Sequence, residues 1–339
     1  MKKETKKYVF SVLLLIVLTL FALWFTLKDD HGNVLRILSS LSLLSIVEIL
    51  GLCLFYYLFI ALSLFVITKE KYPHYKFRYA ISNAYIGGFF SGITPSASGG
   101  QVGQIYVFRK HGVDPSDSAG ILWLDFVMYQ VVLILYTIVL LLLRFTKFSG
   151  EYPALFTMIF IGFLMNSTVL FFLFSMAFFP KKFKAICLFL VKLLSKLHLL
   201  KDQKKAMEKS DAVLVAFTEN INKNRNNKKL VWKLVLINFL RLSSYFAIPF
   251  MIGAILNIKI DFLDSLALSS FVSMANAFFP VPGASGGTEM MFHSLYSLIL
   301  PQQYVSTVLI LWRVVTFHLS LIVGGTLFII EKFRRRRDL

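Results

Sequence analysis

Charge and cysteine are both scarce in this sequence of 339 residues. Only 16% of the residues are charged, and the two cysteines, Cys53 and Cys187, form neither a C-x-x-C pair nor a disulfide framework. Phosphate-binding P-loops, dinucleotide-binding glycine motifs and nucleophile elbows are absent. Metal-ligand spacing is also absent among the histidines, which stand at positions 31, 74, 111, 198, 293 and 318. We therefore expect no cofactor, no bound metal and no catalytic residue of the kinds found in soluble enzymes.

Long apolar runs dominate what is present. Hydrophobic residues make up 57% of the chain, the mean hydropathy is +0.70, and phenylalanine alone occurs 35 times. Since about 20 consecutive apolar residues cross a bilayer as a helix, these runs predict an all-α polytopic membrane protein. The expected full spans are 8–27, 41–67, 118–143, 154–179, 230–256 and 305–330. We interpret the first as a retained span rather than a signal peptide, because it is long and no small-residue cleavage site follows it.

The net charge of +18 comes from basic clusters near the ends of these spans. The clusters lie at residues 2–7, 69–78, 181–184 and 334–337. This distribution follows the positive-inside rule and predicts that both termini are cytoplasmic. It also suits the anionic inner leaflet of a bacterial plasma membrane, so membrane phospholipids are the expected partners. A nucleic-acid surface is the less favoured alternative.

A six-residue pattern, Pro-x-Ala-Ser-Gly-Gly, occurs twice in strongly apolar surroundings, within "TPSASGG" (94–100) and "VPGASGG" (281–287). Proline removes a backbone donor and glycine permits close backbone approach, so we expect each copy to break a helix. The predicted turn residues are Pro95, Ser98, Gly99, Gly100, Pro282, Ser285, Gly286 and Gly287. Because neither serine has a nearby base, we interpret both as helix caps or polar lining rather than nucleophiles.

The two breaks predict re-entrant hairpins of half-helices at 79–110 and 262–300. The order of spans brings the first hairpin in from the cytoplasmic side and the second from outside, which suggests an inverted repeat with a site near the midplane. Two kinked but continuous helices, with small residues for close packing, are the alternative. The organisation is then a first membrane half at 1–180, a basic amphipathic cytoplasmic connector at 181–229, and a second membrane half at 230–339.

Ionisable side chains within the apolar runs are the candidate site. The candidates for binding or translocating a substrate are Glu48, Asp125, Arg241, Glu289 and Arg313. A charge at the bilayer centre costs about 2.5–3.5 kcal/mol on insertion scales, so such residues tend to face a cavity or one another. The arginines suit a phosphate, and the acids would pair with an ammonium group or with the arginines. Internal ion pairs that only hold the helices together are the alternative.

The stretches "GGFFSGITPSASGGQVGQIYVFRKHGV" and "NAFFPVPGASGGTEMMF" resemble the two signature regions of the lysylphosphatidylglycerol synthase transmembrane family, also called flippase-like membrane proteins. The resemblance covers nearly the whole chain. It implies that Glu289 occupies the family's acidic position after the second Gly-Gly, and that Arg241 and Arg313 match its intramembrane arginines. In full-length members the membrane region precedes a soluble synthase region, which this sequence lacks.

The resemblance implies a translocase for a phosphate-bearing lipid such as lysylphosphatidylglycerol or phosphatidylglycerol, acting in resistance to cationic antimicrobial peptides. A phosphatidylglycerol lysyltransferase, which takes lysine from lysyl-tRNA, is the alternative that the family name suggests. A non-catalytic membrane partner of a separate synthase is a second alternative. The missing synthase region makes us rank translocation first.

Overall fold

The structure, a computed structural model, describes most of the chain after residue 40. The described residues are 41–94, 97–151, 227–276 and 283–333, with 36, 39, 160, 162–164, 166–171, 179, 185 and 279. Within these residues every regular element is a helix and there is no strand. The all-helical architecture predicted from the apolar runs is therefore confirmed for this part of the chain.

The helices are named here in chain order. They are α1 Leu43–Lys69, α2 Phe77–Ile93, α3 Gly99–Lys110, α4 Pro115–Leu143, α5 Phe145–Glu151, α6 Lys228–Phe246, α7 Ile248–Ile255, α8 Phe262–Ala275, α9 Gly287–Tyr296, α10 Gln302–Arg313 and α11 Leu319–Phe333. A π-helical turn, Val314–His318, joins α10 to α11.

Four helical segments are long and apolar enough to cross a membrane, and each matches a predicted span. They are Leu43–Lys69, Pro115–Leu143, Lys228–Ile255 and Gln302–Phe333. The predicted span 8–27 lies outside the described residues. Of the predicted span 154–179, only 160, 162–164, 166–171 and 179 are described, and all but the last are helical.

Two of these spans are less regular than the sequence suggested. The span predicted at 230–256 is interrupted at Ala247, between α6 and α7, where Pro249 has no N–H to continue the α-helical ladder. The span predicted at 305–330 contains the π-helical turn, a feature that frequently marks functional sites. There the thiol of Cys53 donates a hydrogen bond to the carbonyl of Val315 at 3.1 Å.

Both copies of the repeated motif lie between two helices, α2 and α3 in the first case, α8 and α9 in the second. The same position of each motif has left-handed backbone, with φ of 54° at Ala97 and 52° at Ala284. This conformation is unusual for alanine and turns the chain sharply. Pro95 and Pro282 lie outside the described residues.

At the first break the chain folds back on itself, so that α3 runs along α2. Asn83 donates a hydrogen bond from Nδ2 to the carbonyl of Gln104 at 3.2 Å, and a Cβ on Gly103 would lie 2.4 Å from the ring of Phe90. The N-terminus of α3 is capped by Thr94, whose Oγ1 accepts from the N–H of Gly99 at 2.8 Å. The capping role expected of Ser98 is thus performed by a residue outside the motif.

At the second break α9 likewise returns along α8. The hydroxyl of Thr288 donates to Oδ1 of Asn276 at 2.7 Å near the break. Further along, Tyr296 lies against Ser265 and Ser269, with its hydroxyl 2.7 Å from the hydroxyl of Ser269. Gly287 must lack a side chain here, because a Cβ would lie 2.1 Å from the ring of Phe279.

A charged cluster fixes the start of α8 to the end of α4. Arg144 binds Asp261 and, from Nε, Oδ1 of Asp264 at 3.0 Å. Lys147 contacts Oδ2 of Asp264 at 2.5 Å. Partial burial opposes ionisation of Asp261, but the N–H of Asp264 and the Arg144 guanidinium outweigh it, so the pKa of Asp261 is lowered.

Helix α11 packs directly onto the backbone of α2. A Cβ on Gly324 would lie 2.2 Å from the carbonyl oxygen of Tyr85 and 2.7 Å from the Cβ of Phe89. Glycine is therefore required at this crossing, as small residues commonly are where membrane helices approach closely.

We expect Gly324→Ala to destabilise the protein by about 1–3 kcal/mol, the usual cost of overpacking, because the obstructing atom belongs to the backbone. The matched control is Gly51→Ala in α1, where a Cβ would meet nothing within 4 Å. The midpoint of thermal unfolding in detergent should fall for the first variant and stay level or rise for the second. Equal behaviour of the two variants would contradict the packing argument.

Candidate functional site

Two arginine–carboxylate pairs lie within the membrane-spanning part of the protein. One joins Asp125 of α4 to Arg241 of α6, and the other joins Glu289 of α9 to Arg313 of α10. All four residues were predicted from the sequence as ionisable side chains within apolar runs, and the structure brings them together in pairs. Each side chain exposes between 6% and 16% of its surface, so these charges are mostly buried but still partly accessible to solvent.

The Asp125–Arg241 pair is loose. Nη1 of Arg241 lies 3.6 Å from Oδ2 of Asp125, beyond ordinary hydrogen-bond length, and 3.3 Å from Oδ1 of Asn238. The other carboxylate oxygen of Asp125 accepts from the hydroxyl of Ser63 at 2.5 Å. The carboxylate is therefore held mainly by α1, while the guanidinium keeps capacity to bind elsewhere.

Aromatic rings surround the Arg241 guanidinium. Its central carbon lies 4.5 Å from the ring centre of Tyr129 and 5.6 Å from that of Tyr56. Such cation–π contacts stabilise a charge away from water, and Tyr56 also forms a side-chain hydrogen bond with the guanidinium. Nε of Arg241 is buried and has no hydrogen-bond acceptor among the described residues.

The Glu289–Arg313 pair is tight. Oε1 of Glu289 accepts from Nε of Arg313 at 2.6 Å and lies 2.5 Å from its Nη2. Oε2 of Glu289 accepts from the N–H of Gly286 at 2.7 Å, which caps the start of α9. Nη2 of Arg313 also donates to the carbonyl of Gly283 at 3.3 Å. The pair thereby fixes the second helix break to α10.

Aromatic side chains connect the two pairs. This aromatic column consists of Tyr129, Tyr56, Tyr245, Trp312 and Phe292. The ring centres of Tyr56 and Tyr245 are 4.9 Å apart, those of Tyr245 and Trp312 are 6.0 Å apart, and Phe292 stacks on Trp312 at 4.9 Å. Tyr129 reaches the column through Arg241, and Trp312 precedes Arg313 in the chain.

The remaining sequence-predicted residues lie elsewhere. Glu48 is near the start of α1 with an exposed side chain, and it forms no ion pair with any described residue. Ser98 is exposed and Ser285 is half-buried. Gly99 and Gly100 open α3, where a Cβ on Gly100 would lie 2.1 Å from Oγ of Ser91.

Sequence reasoning missed several residues that hold these charges. Ser63, Tyr56 and Tyr129 occur in apolar runs where nothing in the pattern distinguishes them from packing residues. It also missed other buried carboxylates, among them Glu331 of α11, whose Oε2 lies 3.3 Å from Nε2 of His111 at the end of α3. The six-residue run "EKFRRR" around Glu331 had indicated only a basic span end.

Comparisons with known proteins agree with this architecture. A family model described as "Lysylphosphatidylglycerol synthase TM region" matches residues 9–324. A curated UPF0104 membrane protein of Archaeoglobus fulgidus is 25% identical over 241 residues, which covers 70% of this chain and 71% of that protein. Among the described residues, no group of three or more histidine, cysteine or acidic side chains is arranged to hold a metal ion.

Glu289→Gln should destabilise the protein by about 3–5 kcal/mol, the usual cost of removing one partner of a buried ion pair. Glutamine can still accept from the N–H of Gly286, so the lost stability measures the cost of leaving Arg313 buried without a carboxylate partner. Adding Arg313→Met should restore much of the stability, because neither charge is then buried.

The readout is the midpoint of thermal unfolding in detergent, with Met290→Ala as the control. Met290 follows Glu289, but its side chain is 63% exposed and contributes little to the core. A double variant no more stable than Glu289→Gln alone would show that charge pairing is not the cause.

Proposed function

Because this chain belongs to the family of lysylphosphatidylglycerol synthase TM regions, we propose that it moves a phosphate-bearing lipid between the leaflets of a membrane. It is a multi-pass membrane protein, with four described segments long and apolar enough to span a bilayer. The proposed substrate is lysylphosphatidylglycerol or phosphatidylglycerol, and the proposed role is resistance to cationic antimicrobial peptides in a bacterial plasma membrane.

The observation that carries the proposal is the pair of arginines along one aromatic column. Arg241 and Arg313 are buried in two different spanning segments, and contacts through Tyr56, Tyr245 and Trp312 lead from one to the other. Guanidinium groups suit the phosphate of a head group, and the partly exposed carboxylates suit its amines. Charges buried at a cost of a few kcal/mol are characteristic of substrate pathways in membrane proteins.

The two helix breaks support the same proposal. Non-helical backbone at membrane depth is tolerated where protein shields it or where it lines a cavity. Both breaks have left-handed alanine at one motif position and helices that return along their partners. We interpret them as re-entrant hairpins of an inverted repeat, entered from opposite faces, with both chain termini in the cytoplasm.

We favour translocation over lysyl transfer from lysyl-tRNA because the candidate residues lie inside spanning helices, where a tRNA acceptor end does not reach. The proposed partners are therefore membrane phospholipids, with a separate synthase as the source of an aminoacylated lipid.

The test of transport uses the purified full chain in liposomes with a fluorescent phosphatidylglycerol in both leaflets. Chemical quenching from outside reports the fraction that has crossed. We expect the wild-type protein to accelerate crossing over protein-free liposomes, and Arg241→Ala to lose roughly tenfold or more of that rate, the value of one charge-assisted contact. Leu54→Ala, at an exposed position of α1, is the control. Crossing at the protein-free rate would refute translocation.

The test of topology uses single cysteines at Ser98 and Ser285 in a background without Cys53 and Cys187. Both positions adjoin a helix break and neither is buried. A membrane-impermeant thiol reagent should reach Ser98→Cys from the cytoplasmic side and Ser285→Cys from the outer side. Labelling of both from the same side would contradict the inverted repeat.

A further inference from the structure

The two buried arginines differ in how fully their donors are used. Nε of Arg313 donates to Glu289 at 2.6 Å, and Nη2 donates to the carbonyl of Gly283. Arg241 reaches Asp125 only at 3.6 Å, and its Nε has no acceptor among the described residues. More than nine in ten buried polar groups are hydrogen-bonded in native proteins, so an unpaired guanidinium N–H requires an explanation.

We propose that Arg241 is the phosphate-binding arginine and that its pair with Asp125 opens to admit the ligand, whereas Glu289–Arg313 is a fixed clasp. The inference rests on the proposed function and assigns roles within that site. A phosphate oxygen would take the free Nε and an Nη of Arg241 as a two-point contact, the geometry that a guanidinium offers best.

The surroundings of Arg241 support a reversible exchange. Asp125 does not depend on the arginine for its position, because Ser63 holds its other oxygen at 2.5 Å. Arg241 does not depend on Asp125 alone, because Asn238 and the rings of Tyr56 and Tyr129 also stabilise its charge. Opening the pair therefore leaves each partner with a contact, which keeps the cost of exchange low.

A second unpaired donor lies on the same aromatic column. The indole of Trp312 is 2% exposed, and its Nε1 has no acceptor among the described residues. Trp312 contacts Tyr245, which in turn contacts Tyr56 beside Arg241. Two unsatisfied donors along one column indicate a ligand with several acceptor oxygens, such as the phosphodiester and acyl-ester oxygens of a phospholipid, rather than a simple cation.

By contrast, both carboxylate oxygens of Glu289 and two nitrogens of Arg313, Nε and Nη2, are already bonded. The carboxylate accepts on one oxygen from Arg313 and on the other from the backbone of Gly286. Releasing Arg313 to a ligand would leave the Glu289 carboxylate without its cation and the carbonyl of Gly283 without this donor. This pair is therefore a positioning device for the helix break.

The experiment measures binding by the full chain in dodecyl maltoside micelles, titrated with phosphatidylglycerol and followed by the shift of the thermal unfolding midpoint. Arg241→Lys and Arg313→Lys form a matched pair, since both keep the charge and lose the two-point geometry. We expect Arg241→Lys to weaken lipid binding roughly tenfold and Arg313→Lys to change it less than about twofold. Arg313→Lys should instead lower the unfolding midpoint of the protein without lipid.

Asp125→Asn supplies the opposite change. Removing the competing internal carboxylate should tighten binding of phosphatidylglycerol several-fold, because Arg241 no longer has to exchange partners. Asn can still accept from Ser63, so the variant preserves the local hydrogen bond. If this variant does not fold, the comparison of lipid binding by Arg241→Lys and Arg313→Lys still tests the assignment. Weaker binding in Asp125→Asn, or a greater loss in Arg313→Lys than in Arg241→Lys, would overturn the assignment.

Titration with inorganic phosphate distinguishes a lipid from a free anion. A rise of the unfolding midpoint with phosphatidylglycerol but not with inorganic phosphate supports the lipid assignment. An equal rise with inorganic phosphate would overturn it. The liposome assay is independent of this result. Translocation with no difference between the lysine variants would refute the role of Arg241 and leave the proposed function standing. If Arg241→Lys weakens lipid binding more than Arg313→Lys does, but the protein does not accelerate crossing in liposomes, translocation is refuted and the binding site stands.

Discussion

The second helix break depends on one carboxylate. Glu289 accepts from the N–H of Gly286, just before α9, through one oxygen and binds Arg313 through the other, and Arg313 then reaches the carbonyl of Gly283. These contacts satisfy backbone groups on both sides of a turn that would otherwise be exposed to an apolar surrounding, where each unpaired group costs several kcal/mol. At this turn the side chains of Glu289 and Arg313 therefore replace the missing backbone partners.

The first break solves the same problem by other means. Thr94 accepts from the N–H of Gly99 and donates to the carbonyl of Phe90 at 2.6 Å, so a neutral hydroxyl satisfies the turn from within its own hairpin. At the position of Glu289 in the second copy, the first copy has Val102, which is 66% exposed. The two copies share a backbone turn, with left-handed Ala97 and Ala284, and in the described part of the second turn a carbonyl accepts from an arginine of a spanning helix.

Much of the fold could be predicted from sequence because it follows from local patterns. Apolar runs located the four described spans, and the repeated Pro/Gly motif located both breaks. The partners of the buried charges could not be predicted, since they depend on which helix faces meet. Asp125 and Arg241 are 116 positions apart in the chain, and no periodicity relates them. The contributions of Ser63 and Tyr56 could not be predicted for the same reason. The cap of α3 comes from Thr94 because the turn brings its hydroxyl oxygen to 2.8 Å from the N–H of Gly99.

The two ion pairs differ in what they connect. On the division of the chain predicted from sequence, Glu289 and Arg313 both follow the connector at 181–229, so their contact would lie within one membrane half. Asp125 precedes that connector and Arg241 follows it, so their contact would cross between the halves. Coulomb attraction falls with distance and with access of water, so the contact at 3.6 Å resists separation less than the contact at 2.6 Å. Any movement of one half against the other would therefore open the Asp125–Arg241 pair first and carry the Glu289–Arg313 pair along intact. The arginine with an unpaired N–H is thus also the one whose partner sits across the boundary where an inverted repeat would move.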